Sequence, residues 1–456
     1  MNLAKQARCA NKYSYVQSGR LKCTGSFKLV DKKTIILNKN ITVIQPVESK
    51  AMFNLYLLYI TSYLLHFPSR MNVLGAIRFD MLLAGVLLLG LIKAAPHARE
   101  NYSHPITKSL YAILIYVALT VPFVEWPGSV LKENLVPYIK ACLFFFFTIT
   151  FVNSPVKLKK ILFVYVACQT IRILEPLFLN ITQGYWGSGT HIGGGEFASR
   201  LSGSPYDVVN PNGLAFVICI AWAYWHYFVG GSQKFRNKSI YWAMAAAFAY
   251  AMVLTMSRSG LVALSVLLLF IFLASKKKML IISILIAGSI FGFSQMTDVQ
   301  KERVMSITGN QDSAQGKSAQ GRMNFMFRMA DVWLNRPIVG HGLGTSKEAG
   351  ANYGEDAKIA HSIYFEVLIE LGIVGFYFFV RFLLHVKKAI ISIKQQSMEK
   401  GTFEHLLAQV LHSLLWVYLI FSIAYFGFSR SWWYFLAGIV VVQAGLIKKA
   451  KEGKQK

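Results

Sequence analysis

Residues 240–275 read IYWAMAAAFAYAMVLTMSRSGLVALSVLLLFIFLAS, two apolar runs parted by Ser257-Arg258-Ser259-Gly260. Arg258 is the sole charged residue in the stretch. At about 1.5 Å per residue each run approaches the roughly 30 Å of a bilayer's hydrocarbon core. Lipid offers no water to the backbone, so such runs must satisfy their own amides as helices. The stretch therefore predicts two spans, 240–256 and 260–275, with a polar turn where the chain reverses.

The same pattern recurs along the chain. Further candidate spans fall at 53–67, 73–92, 107–124, 135–152, 161–182, 213–229, 279–296, 362–383, 406–427 and 431–447. Together they predict an all-α integral membrane protein of about twelve transmembrane helices. Composition agrees: of 456 residues 54% are hydrophobic, 14% aromatic and only 15% charged, and the mean hydropathy is +0.43. A soluble enzyme, a disordered protein and a secreted disulfide scaffold are excluded on those grounds. Cys142, Cys168 and Cys219 lie inside apolar runs as small hydrophobes. No CxxC or Cys/His cluster is present, which leaves no support for a zinc site.

The net charge of +27 invites a nucleic-acid reading, but its distribution gives another. With both termini assigned to the cytoplasm, that side collects 31 of the 48 Lys and Arg residues, as the positive-inside rule requires. Ten of these precede residue 52. Residues 1–51 carry no helical periodicity and no signal-peptide core. They read as a basic cytoplasmic tail beside anionic lipid or as a start placed upstream of a native Met52. Residues 52–447 form the polytopic domain, and 448–456 a second basic cytoplasmic tail.

Two outer segments exceed simple turns. Residues 183–212 are glycine-rich, with Gly193, Gly194 and Gly195 in a row. Residues 297–361, between the ninth and tenth spans, make a large periplasmic loop of the length that usually serves function. Inside it Arg322 to Asn335 reads as an amphipathic helix, with Met326, Met329, Ala330 and Trp333 at helical spacing. The Arg336–Pro337 signal ends it, and Gly340-His-Gly-Leu-Gly344 follows as a turn.

Polar residues gather on that outer side: Arg200, Arg258, Arg322, His341 and His361. A charge at membrane depth faces a cavity, a partner or a substrate, or it snorkels from a helix end; position alone leaves both open for Arg258. Arg200 alone reads as a surface arginine, and Asn210-Pro-Asn212 farther along is a turn that opens a span. His361 either caps the span it precedes or accepts a proton from a hydroxyl. Arg172 and Glu175, one turn apart, read as a structural pair, as do Arg78 and Asp80.

Taken in order, these stretches resemble the O-antigen ligase/polymerase superfamily. The match is carried by Arg200-Leu-Ser-Gly-Ser-Pro-Tyr-Asp-Val-Val-Asn-Pro-Asn-Gly-Leu-Ala215, Ser257-Arg-Ser-Gly260 and Gly321-Arg322. It continues through Pro337-Ile-Val-Gly-His-Gly-Leu-Gly344, His361-Ser-Ile-Tyr-Phe-Glu366 and Glu370-Leu-Gly-Ile-Val-Gly375. The resemblance implies a GT-C-like glycosyltransferase of the bacterial inner membrane. Such an enzyme moves a glycan from undecaprenyl diphosphate to an acceptor hydroxyl at a periplasmic active site. Ligation of O-antigen to lipid A-core in lipopolysaccharide biosynthesis is the favoured branch; polymerisation and protein O-glycosylation are the alternatives. It further implies an inverting, metal-independent reaction without cofactor, and no nucleic-acid partner. Carried over, Arg200 and Arg258 would bind the diphosphate and His361 would activate the acceptor hydroxyl. Arg322 and His341 would be secondary contacts to phosphate or sugar. Ser362 stands where the family usually has Asn, which puts in doubt any role of that amide. A twelve-span transporter or flippase is the competing class. Related halves and polar midplane sites would mark it, whereas here polarity concentrates in outer loops.

Overall fold

The computed structural model describes residues 13–15, 21–23, 50–193, 196–232, 234–275, 277–279, 282–283, 286, 294, 301, 305, 327–353, 360–397, 399–425 and 427–454. The chain divides into two units, Met1–Leu55 and Tyr56–Lys456. In the first, two three-residue strands, β1 (Tyr13–Tyr15) and β2 (Leu21–Cys23), pair antiparallel. Helix α1 (Lys50–Leu65) starts in it.

The second unit is helical. Its principal elements are α2 (Phe79–Ala94), α3 (Pro105–Thr120), α4 (Leu135–Phe151), α5 (Pro155–Gln183), α6 (Pro211–Trp225), α7 (Phe235–Thr255), α8 (Arg258–Ala274), α9 (Ile363–Gln396), α10 (Phe403–Phe421) and α11 (Ser431–Lys454). Among the described residues seven helices are long and apolar enough to cross a membrane, and α8 is a shorter apolar helix. Leu89, Ile92, Ile115, Leu119, Phe163 and Leu273 are each more than half exposed. A protein in water does not present so much apolar surface. Mostly helical, with little sheet, the chain is an all-α membrane protein in architecture.

Local chemistry sets the helix starts. Ser154 accepts from the Lys157 amide and Asn210 from the Gly213 amide, each with Pro in the next position, and Thr402 accepts from His405. A side-chain oxygen replaces a missing intrahelical acceptor, and proline costs nothing where the amide has no partner. Helix α6 is buried along most of its length and packs against α5, α7, α8 and α10. It is the central post around which the site is built.

Two expectations change. The 73–92 span is not continuous: a short helix Asn72–Ala76 ends, Arg78 adopts a left-handed conformation (φ 47°), and α2 starts at Phe79. Asp80 accepts from Ser62. The glycine-rich 183–212 segment contains an antiparallel hairpin, β3 (Gly187–Gly193) with β4 (Glu196–Leu201), which pairs Ser188 with Arg200. The ninth span, 279–296, lies mostly outside the described residues, as does the 297–326 part of the long loop. Farther along that loop residues 327–334 are helical. Met329 is buried there and Trp333 packs on the same apolar cluster, as the amphipathic pattern predicts.

Helix α9 carries a break. Gly372 has φ 64° and ψ −172° inside it, so amides and carbonyls on either side lose their helical partners. Residues 337–344 supply them. The His341 amide donates to the Ile369 carbonyl (2.9 Å), Gly342 to Glu370 (2.9 Å), and Ile373 donates to the Pro337 carbonyl (2.8 Å). Tyr116 Oη donates to the Leu371 carbonyl (2.9 Å). The backbones approach so closely that a Cβ on Gly372 would collide with the Ile338 carbonyl oxygen. Irregular backbone at membrane depth is tolerated where protein satisfies it in this way.

Candidate functional site

Helices α6, α8, α9 and α11 all begin at the same end of the bundle, and the polar residues collect among these starts. The link between α7 and α8 comes first. Met256 takes a left-handed conformation (φ 49°, ψ 34°), uncommon for a residue with a side chain and costing about 1–2 kcal/mol. Ser257 then caps α8 by accepting from the Gly260 amide (3.1 Å), and Arg258 is the helix's first residue.

Arg200, at the end of β4, holds this turn in place. Its Nε donates to the Thr255 carbonyl (2.9 Å), and its Nη2 to Asn212 Oδ1 (2.9 Å) and the Met256 carbonyl (3.5 Å). Asn212 Oδ1 also accepts from Ser257 Oγ (2.9 Å). Three stretches singled out in the sequence therefore meet on one amide oxygen: Arg200, Asn210-Pro-Asn212 and Ser257-Arg258. Arg200 is only 6% exposed, and at least two of its guanidinium nitrogens serve the turn.

His361 is partly buried and precedes α9 by two residues. Ser362 makes no side-chain cap. Instead the Ile363 amide donates to the carbonyls of Ser422 (3.1 Å) and Tyr425 (3.0 Å), so the α10–α11 connection holds the start of α9. Tyr425 Oη in turn donates to Asn210 Oδ1 (3.2 Å). The structure thus brings Arg200, Arg258 and His361 onto one connected group of segments.

His341 sits elsewhere. It is fully buried and its ring stacks near Trp126. Nε2 donates to the Val332 carbonyl (3.0 Å) and Nδ1 lies 2.7 Å from Glu125 Oε2. Glu125 also accepts from Asn352 (3.1 Å) and Tyr353 (3.4 Å). Desolvation, then the Glu125 carboxylate, raise the Tyr353 hydroxyl pKa, which keeps that hydroxyl a donor. These bonds brace the 337–353 segment against the α3–α4 connection. Arg322 lies outside the described residues.

Arg172 and Glu175 do not pair with each other. Arg172 binds Asp207 through two nitrogens (2.6 and 3.0 Å). Glu175 binds Arg70 (2.6 and 2.5 Å), and Arg70 also reaches Ser204 (3.2 Å). Both ties fasten the 202–210 loop beside Arg200. Sequence reasoning missed Asp207, Tyr425 and the buried pair Glu366 and Glu370. Glu366 accepts from the Gly427 (2.7 Å) and Phe428 (3.1 Å) amides, and Glu370 from Gly344 (2.8 Å). Two carboxylates one turn apart in an apolar run were the signal that could have found them.

Fold and site define a multi-pass helical membrane protein whose polar constellation is assembled at one end of the bundle. Residues 243–380 match the family model described as O-antigen ligase. That match makes this part of the chain similar to the O-antigen ligase superfamily, whose members are glycosyltransferase-like enzymes. The matched interval contains Arg258 and His361, while Arg200 precedes it and reaches it through the Thr255 and Met256 carbonyls. No curated protein matches the chain.

Proposed function

We propose that this protein transfers a glycan from undecaprenyl diphosphate to an acceptor hydroxyl at the periplasmic face of the bacterial inner membrane. Attachment of O-antigen to lipid A-core is the favoured reaction. The observation that carries the reading is the meeting of Arg200 and the Ser257-Arg258 turn on Asn212.

The chemistry follows from that arrangement. The acceptor oxygen attacks the anomeric carbon, its proton passes to His361, and the glycosyl–oxygen bond to the diphosphate breaks. The electron pair leaves with the diphosphate. Arg258, permanently charged and able to bind two oxygens at once, offsets that charge. The first turns of α6, α8 and α9 add the positive ends of their dipoles. Arg200 works from behind, fixing the turn that presents Arg258. Charge stabilisation is thereby supplied by protein groups, and His361 is the group assigned to take the proton of the attacking hydroxyl.

A deletion strain tests the branch. Loss of all polymer from lipid A-core is the expected phenotype, and plasmids carrying His361→Ala or Arg258→Ala should insert in the membrane yet fail to restore it. A single capped repeat would instead identify a polymerase. Intact lipopolysaccharide with unglycosylated protein would identify protein O-glycosylation. Restoration by both variants would contradict the site.

A further inference from the structure

The His361 side of the site and the arginine side belong to different parts of the chain, and one residue bonds to both. Tyr425 lies in the connection between α10 and α11 and is 6% exposed. Its backbone carbonyl accepts from the Ile363 amide (3.0 Å), two residues after His361. Its hydroxyl donates to Asn210 Oδ1 (3.2 Å). Asn210 caps α6 through the Gly213 amide (2.8 Å), and two residues later Asn212 receives Arg200 and Ser257. The ring packs 4.9 Å from Phe421 and 5.9 Å from Trp432 between centroids. The approach is close: a Cβ on Gly213 would stand 2.8 Å from the Tyr425 hydroxyl.

We propose that Tyr425 is a positioning residue that sets the separation between His361 and the arginine turn, through its hydroxyl bond to Asn210 and its carbonyl bond to the start of α9. The inference rests on the transfer reading given above. A base and a leaving-group contact carried on separate helices lose rate when either shifts, since displacement by about 1 Å costs on the order of 10²-fold. The first amide of α9, Ile363, has its acceptors in this connection.

The test uses the full chain, purified, with an undecaprenyl-diphosphate-linked glycan as donor. Tyr425→Phe keeps the ring and the carbonyl and removes the hydroxyl that bonds Asn210. It should lower kcat by about tenfold while donor KM stays within about twofold and the unfolding temperature is unchanged, a split that separates alignment from binding. Gly213→Ala, which leaves the hydroxyl but crowds it, should lower kcat in the same sense. Wild-type kcat in Tyr425→Phe overturns the inference alone. So does a rise in KM at constant kcat, which would mark Tyr425 as a donor contact. No transfer by the wild type overturns the reading of the site and this inference with it.

Discussion

Arg200 and Arg258 look alike in the sequence and differ in the structure. Arg258 opens a helix, whereas the Arg200 guanidinium is buried against the Thr255 carbonyl and Asn212. Arg258 was legible because a lone charge in an apolar run must have a reason. The Arg200 role was not, because its partners lie 55 and 12 residues away, beyond any local pattern. Replacing Arg200 with Lys keeps the charge but cannot reproduce both contacts, leaving a buried acceptor unsatisfied at about 1–3 kcal/mol. A lowered unfolding temperature in detergent, together with reduced transfer, is the expected outcome; wild-type stability would contradict the bracing role. Asp207 presents the same logic from the acidic side. Asp207→Asn would leave buried Arg172 without its counter-charge, a loss of about 3–5 kcal/mol, read as failure to accumulate folded protein or a large drop in unfolding temperature.

Helices themselves were the most legible elements, because twenty-residue apolar runs have few alternatives. What broke them was less so. The 337–344 run reads as a glycine turn, but nothing local says that it inserts into another helix. Only the structure pairs Gly340 with Gly372, where each occupies positive φ and neither has room for a Cβ. Gly372→Ala would force a methyl into the Ile338 carbonyl and strain the backbone, at about 1–3 kcal/mol. Thermal unfolding of that variant should fall by several degrees, and an unchanged transition would mean that the break relaxes without cost. The β3–β4 hairpin was hidden for another reason. Glycine-rich composition signals a loop, and the pairing that turns it into strands is set by its ends.

At the scale of the molecule, the +27 charge and its distribution predict sidedness. The basic loops, such as Lys234 to Lys238, are predicted to face the cytoplasm, and the site the periplasm. Single cysteines introduced at exposed Val208 and Lys234 should separate the two: a membrane-impermeant thiol reagent added to intact spheroplasts labels Val208→Cys and spares Lys234→Cys. The reverse labelling would invert the topology and remove the site from its donor's side. The most direct test of the whole account is transfer by the purified protein, without an ion gradient, from an undecaprenyl-diphosphate-linked glycan to a lipid A-core acceptor. The account predicts glycan on the acceptor, reduced about 10²–10³-fold in Arg258→Ala and 10²–10⁴-fold in His361→Ala. No transfer from the wild-type protein, or near-normal transfer from both variants, would contradict it.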